Sequence, residues 1–174
     1  NDFSPLVNPA ENWSYGWSES TGLEFNLYTI KDSMPCLPSI VSQWVEPISA
    51  DPTPHVSHNA ANASVNCGGT HGIDFLPGEL VFHPGPNDEH SIIRWTASYS
   101  GTFTVMVTFR GRDRDGASTD VHVQHNTSEL FETTVSGTDI PQQFVVSNLV
   151  VDAGDMIDFC NSSAVCNGRR RYRG

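Results

Sequence analysis

Residues 91–111, SIIRWTASYSGTFTVMVTFRG, decide the fold. Ile93, Trp95 and Ala97 alternate with Arg94 and Thr96. After a Tyr99-Ser100-Gly101 turn, Phe103, Val105, Val107 and Phe109 alternate with Thr102, Thr104, Met106 and Thr108. Side chains on a strand point to opposite faces in turn, so this period of two predicts a sheet with one buried and one wet face. Val121 and Val123 repeat the pattern against Asp120, His122 and Gln124.

Outward from that stretch, strands are predicted at 22–29, 40–45, 79–83, 90–98, 101–110, 118–125, 128–136, 142–151 and 155–160. Gly101, Gly116, Gly137 and Gly154 punctuate them. No segment carries the 3.6-residue period of an amphipathic helix. The reading is all-β, an antiparallel β-sandwich of the jelly-roll kind with about eight to nine strands. Residues 1–174 form one domain, with an irregular aromatic lead-in over 1–20 and a basic C-terminal tail over 169–174. The stretch 31–78 reads as a long connection, because it holds six of the eleven prolines.

Charge narrows the partners. All 20 acidic residues but only five of the nine basic ones lie in 1–168, a net −15. Arg169, Arg170, Arg171 and Arg173 oppose it with +4. An acidic body repels phosphate backbones, which argues against nucleic acid and for cations. Complementary body and tail also favour self-association, head to tail, into an assembly or filament. No apolar run is long enough to span a membrane as a helix. A start at Asn1 fits a processed secreted chain or an excised fragment.

Four cysteines in a loop-rich chain point to an oxidising, extracellular compartment. Of the three possible connectivities, the spacing favours Cys160 with Cys166, leaving Cys36 with Cys67. A zinc site lacks any C-x-x-C pair or His at ligand spacing. Four sequons, at Asn12, Asn62, Asn126 and Asn161, fit the same compartment. Asn126 and Asn62 rank first by their place in polar turns, and Asn12, followed by Trp13, ranks last.

The run 91–111, followed by LVVDAGDMIDF at 149–159, resembles the jelly rolls of carbohydrate-binding modules and related galactose-binding-like extracellular domains. NPAENWSYGW at 8–17 and FHPG at 82–85 are similar to secreted modules of that layout. The resemblance implies a non-catalytic domain with a structural calcium and exposed aromatics that hold glycans. It also implies a calcium role for Glu24, with Asp158 its partner. The chain departs from the family pattern at its end, in Cys166-Asn167-Gly168 and the arginines.

The residues make their own case for calcium, which takes six to eight oxygens from carboxylates and carbonyls beside a turn. Asp113, Asp115 and Asp120 flank Gly116, and Asp155 and Asp158 flank the start of the last strand. Interleaving Arg110, Arg112 and Arg114 offer the competing reading of a surface ion-pair loop.

Glycan-contact candidates are Trp13, Tyr15, Trp17 and Trp44, against the alternative that they plug the sandwich. The seven histidines form no ligand pair and read as surface residues. No nucleophile elbow, Ser/His/Asp arrangement or phosphate-cradling loop stands out, so the chain reads as non-catalytic. The expected function is a structural subunit of a glycosylated extracellular assembly. A carbohydrate-binding module is the alternative.

Overall fold

A computed structural model of the chain describes residues 3–19, 24–46, 53–67, 73–112, 118–138 and 140–162. The described residues are all-β, as the alternation requires, and every strand pairing is antiparallel. Among the described residues there are fourteen strands rather than eight or nine. They are β1 (Trp13–Ser18), β2 (Asn26–Leu27), β3 (Ile30–Pro35), β4 (Ile40–Val45), β5 (His55–His58), β6 (Val65–Cys67) and β7 (Ile73–Phe75). There follow β8 (Leu80–His83), β9 (His90–Thr96), β10 (Gly101–Phe109), β11 (Ser118–His125), β12 (Ser128–Ser136), β13 (Gln142–Val151) and β14 (Met156–Ser162).

Two regions correct the sequence reading. The lead-in is not irregular throughout: β1 lies between β9 and the short β2 in a six-stranded sheet of order β12-β11-β14-β9-β1-β2. Trp13, Tyr15 and Trp17 alternate there, with Tyr15 opposite Ile93 of β9. The prolines at 5 and 9 precede the strand and so cost it no ladder bond. The connection 31–78 is likewise built of strands, most of them in a second sheet of order β3-β4-β5-β8. Its strands are three to six residues long and fit between the prolines. Of the strand expected at 22–29, the described part, 24–29, holds Asn26–Leu27 as strand.

The six-stranded sheet turns Tyr15, Ile93, Val121, Val123 and Ile157 inward, and two separate sheets cover that face. Trp44 and Val56 of the four-stranded sheet pack on Tyr15 and Ile93, with Phe3 and Tyr28 completing the cluster. Phe109, Val105, Val107, Phe144 and Leu149 of the two-stranded sheet β10-β13 pack on Val121, Val123 and Ile157. The outer face of the four-stranded sheet meets the β6-β7 hairpin, where Val41, Val65 and Phe75 join the Cys36–Cys67 disulfide. Gly16 of β1 is required by close approach. A Cβ there would stand 2.3 Å from the Asn26 carbonyl oxygen and 2.6 Å from the Phe25 ring. Phe25 in turn carries the Arg94 guanidinium 4.1 Å from its ring centroid.

Candidate functional site

The covering layer is discontinuous. β8 ends the four-stranded sheet and β10 belongs to a sheet of two, so no ladder joins them. Between them lies a cavity of about 600 Å3. Its walls are consecutive residues, 79–84 on one side and 106–112 on the other, odd and even alike. Strand edges, not only strand faces, therefore border it. The floor is the apolar face of the large sheet at Trp13, Ile93, Val121 and Phe159, with Asn161 among them. A second space of about 200 Å3, sharing Trp13, Met106 and Phe159, extends under β10.

The ladder phase shows what the β8 edge offers. The Asn59 amide donates to the Glu79 carbonyl at 3.0 Å, and β5 and β8 pair from His58↔Leu80 to His55↔His83. Bonded and non-bonded pairs alternate along an antiparallel ladder. Glu79, Val81 and His83 thus face β5, whereas Leu80 and Phe82 turn their backbone groups to the cavity. The Phe82 carbonyl there accepts the Asn161 side-chain amide at 2.9 Å. Asn161 is 3 % exposed, and its Oδ1 has no hydrogen-bond partner among the described residues. At the rim, Arg112 pairs with Glu79, its Nε lying 3.0 Å from Oε1, and Arg110 is exposed. Gly111 between them passes the 136–138 turn closely: a Cβ would sit 2.0 Å from the Gly137 carbonyl oxygen.

The aromatics singled out from sequence divide. Tyr15 is 1 % exposed. Trp44 is buried and donates its indole N–H to the Ser4 carbonyl at 2.8 Å. Trp17 is half-buried against the same cluster. Trp13 alone of the four lines the cavity, stacked on Phe159 at 6.5 Å.

The acidic candidates do not gather. Asp158 gives both oxygens to Arg94, each at 2.7 Å. Asp120 is buried and accepts from the Thr134 hydroxyl at 2.7 Å. Glu24 is exposed at the approach to β2. Asp155 accepts from the Asn126 amide, the Asp152 backbone N–H and His125, bonds that hold its carboxyl down at about 2. Among the described residues no three His, Cys, Asp or Glu stand at metal-binding geometry, and a calcium at Glu24 and Asp158 would have to displace a guanidinium. These residues do not fit the ion. Asp113 and Asp115 lie outside the described residues.

Of the sequons, only Asn62 presents an exposed side chain. Asn12 is half-buried and donates to Ser98 at 3.2 Å. Asn126, at φ 54°, uses its amide on Asp155 and its carbonyl on the Met156 N–H. Asn161 is committed in the cavity floor, so the folded domain offers no acceptor there. Cys36–Cys67 is bridged as read. Cys160 is buried in β14, and its expected partner Cys166 lies outside the described residues, as do the four tail arginines.

The histidines are not surface residues as a class: His55, His58, His90 and His122 are buried. Burial pushes His58 below the ordinary imidazole range, and it pushes the Tyr28 hydroxyl, bonded to Ser91, well up. Glu89 is also buried, which raises its carboxyl, but hydrogen bonds from Asn87 leave it lower than usual.

Sequence reasoning missed the seam. Its one signal is the brevity of β8, penned between Pro77-Gly78 and Pro84-Gly85-Pro86. No helix among the described residues is long and apolar enough to cross a membrane. No protein-family model, curated protein or solved structure matches the chain.

Proposed function

We propose that the chain is a non-catalytic secreted β-sandwich, a structural subunit of an extracellular assembly, and that its seam is a joint. One observation carries this reading: the covering layer is open over an apolar floor, between two strand edges that no ladder joins. A gap of that shape suits a chain segment. Among the described residues that line it, Glu79 is the one carboxylate, and it is paired with Arg112. The Cys36–Cys67 disulfide agrees with an oxidising compartment, and exposed Asn62 suits glycosylation. The test is sedimentation of the purified protein over a wide concentration range, with electron microscopy of the concentrated sample. Oligomers or filaments are expected, and a monomer at every concentration overturns the reading.

Carbohydrate binding is the second reading, favoured by Trp13 in the cavity floor and by the family resemblance. It gains little from Tyr15 and Trp44, whose rings are buried. A glycan array that selects one sugar class, with binding lost in Trp13→Ala, would establish it instead.

A further inference from the structure

Leu80 and Phe82 turn their backbone groups to the seam, across from the edge of β10. The row is four residues long, about 13 Å at the rise of a strand. Each such edge demands donors and acceptors in alternation at strand spacing. A peptide backbone supplies that series, and a sugar ring or an acyl chain does not. Beneath the edges, Asn161 Oδ1 is buried without a donor among the described residues.

Charge says what kind of peptide. The chain carries a net −11 at pH 7, yet the seam's rim on the β10 side presents Arg110 and Arg112. Glu79 answers Arg112, which among the described residues of the rim leaves exposed Arg110 as the charge offered outward. An acidic chain of this composition is repelled by most of the surface and drawn to that rim. Beside the seam, the outer face of β10-β13 leaves Met106 73 %, Val145 56 % and Val150 70 % exposed. An arriving neighbour would cover this apolar strip in the same step.

We infer that the seam accepts an extended segment of about four residues from a second copy of this chain. The segment pairs with the edge at Leu80 and Phe82 and sets a carboxylate against Arg110. The inference rests on the structural-subunit reading and names its joint.

The experiment uses the full chain, its Leu80→Pro and Arg110→Glu variants, sedimentation, and amide exchange at low and high concentration. Leu80→Pro removes an N–H turned to the seam while sparing the ladder to β5. Arg110→Glu alters an exposed side chain and leaves the fold alone, so it carries the test should the proline variant not fold. In the wild type, exchange at Leu80 and Phe82 slows as the protein associates. Leu80→Pro weakens association at least about tenfold. Arg110→Glu weakens it about three- to tenfold at low salt, a difference that closes at high salt. A wild type that associates with no slowing at Leu80 and Phe82, and as tightly in both variants, overturns the seam joint and leaves the subunit reading intact. A wild type that stays monomeric overturns both. An unrelated peptide or a sugar that slows these amides in the monomer overturns the choice of a second copy.

Discussion

The two sheets that cover the large one start from the same alternation and end differently. In the four-stranded sheet, Val41, Trp44, Val45 and Val56 are all buried, and the β6-β7 hairpin packs on the outer face. In β10-β13, the inward Phe103, Val105, Val107, Phe144 and Leu149 are only half-buried, and spaces remain beside and beneath β10. Alternation assigns a side chain to a face. Burial depends on whether both edges of its strand find partners, and β10 has one partner among the described residues where β4 has two.

The sharpest way to break the comparison is to open the closed side. Reducing Cys36–Cys67 frees a link across a sequence separation of 31, worth about 3–4 kcal/mol on loop-closure arguments. Thermal melts with and without reductant measure it. Exchange should speed up across β3 to β6 while β10 and β13 keep their rates, and equal acceleration everywhere would dissolve the distinction.

Next comes the ion pair inside the large sheet that both covering sheets share. Arg94→Met leaves the Asp158 carboxylate buried without its partner, a loss of about 2–3 kcal/mol for a pair not wholly sealed. Combining it with Asp158→Leu should recover most of that loss in denaturant titrations.

The halves can then be compared residue for residue. Val56→Ala in the closed sheet should cost about 2 kcal/mol, and Val107→Ala beside the seam less than about 1 kcal/mol. Equal costs from urea midpoints would mean that the seam is as tightly packed as the rest.

The smallest effect belongs to the turns. Asp155 titrates at about 2 instead of 3.8, so its stabilisation is complete above the unfolded value and is lost as pH falls through the folded one. The melting temperature of the wild type should exceed that of Asp155→Asn at neutral pH, and the gap should close between about pH 4 and pH 2. A gap that persists at the lowest pH would show that the aspartate acts by packing.

How much of this was legible follows from the residues themselves. The stretch 91–159 was readable because its strands are long and one face is apolar, and β9 to β14 lie close to where the alternation put them. β1 was read as part of an irregular lead-in, because a pairing with a strand some eighty residues later leaves no mark in local sequence. β5, β6 and β7 are too short for any period to register. The carboxylates misled for a related reason. Asp158 follows Asp152 and Asp155 in sequence, whereas Arg94, which takes both its oxygens, arrives from 64 residues away. The seam escaped because it is an absence of pairing, and sequence patterns report which strands exist rather than which edges stay open.

Asn59 has a consequence of a practical kind. Fully buried, it gives its side-chain amide to the carbonyls of Ala63, Phe75 and Leu76 and accepts the Ala61 N–H. Its main chain meets Glu79 and Gly78. One side chain therefore ties off both ends of the turn around Asn62, whose tip is exposed. An epitope or a reactive handle spliced between Asn62 and Ala63 would be displayed to solvent while the sandwich beneath kept its shape.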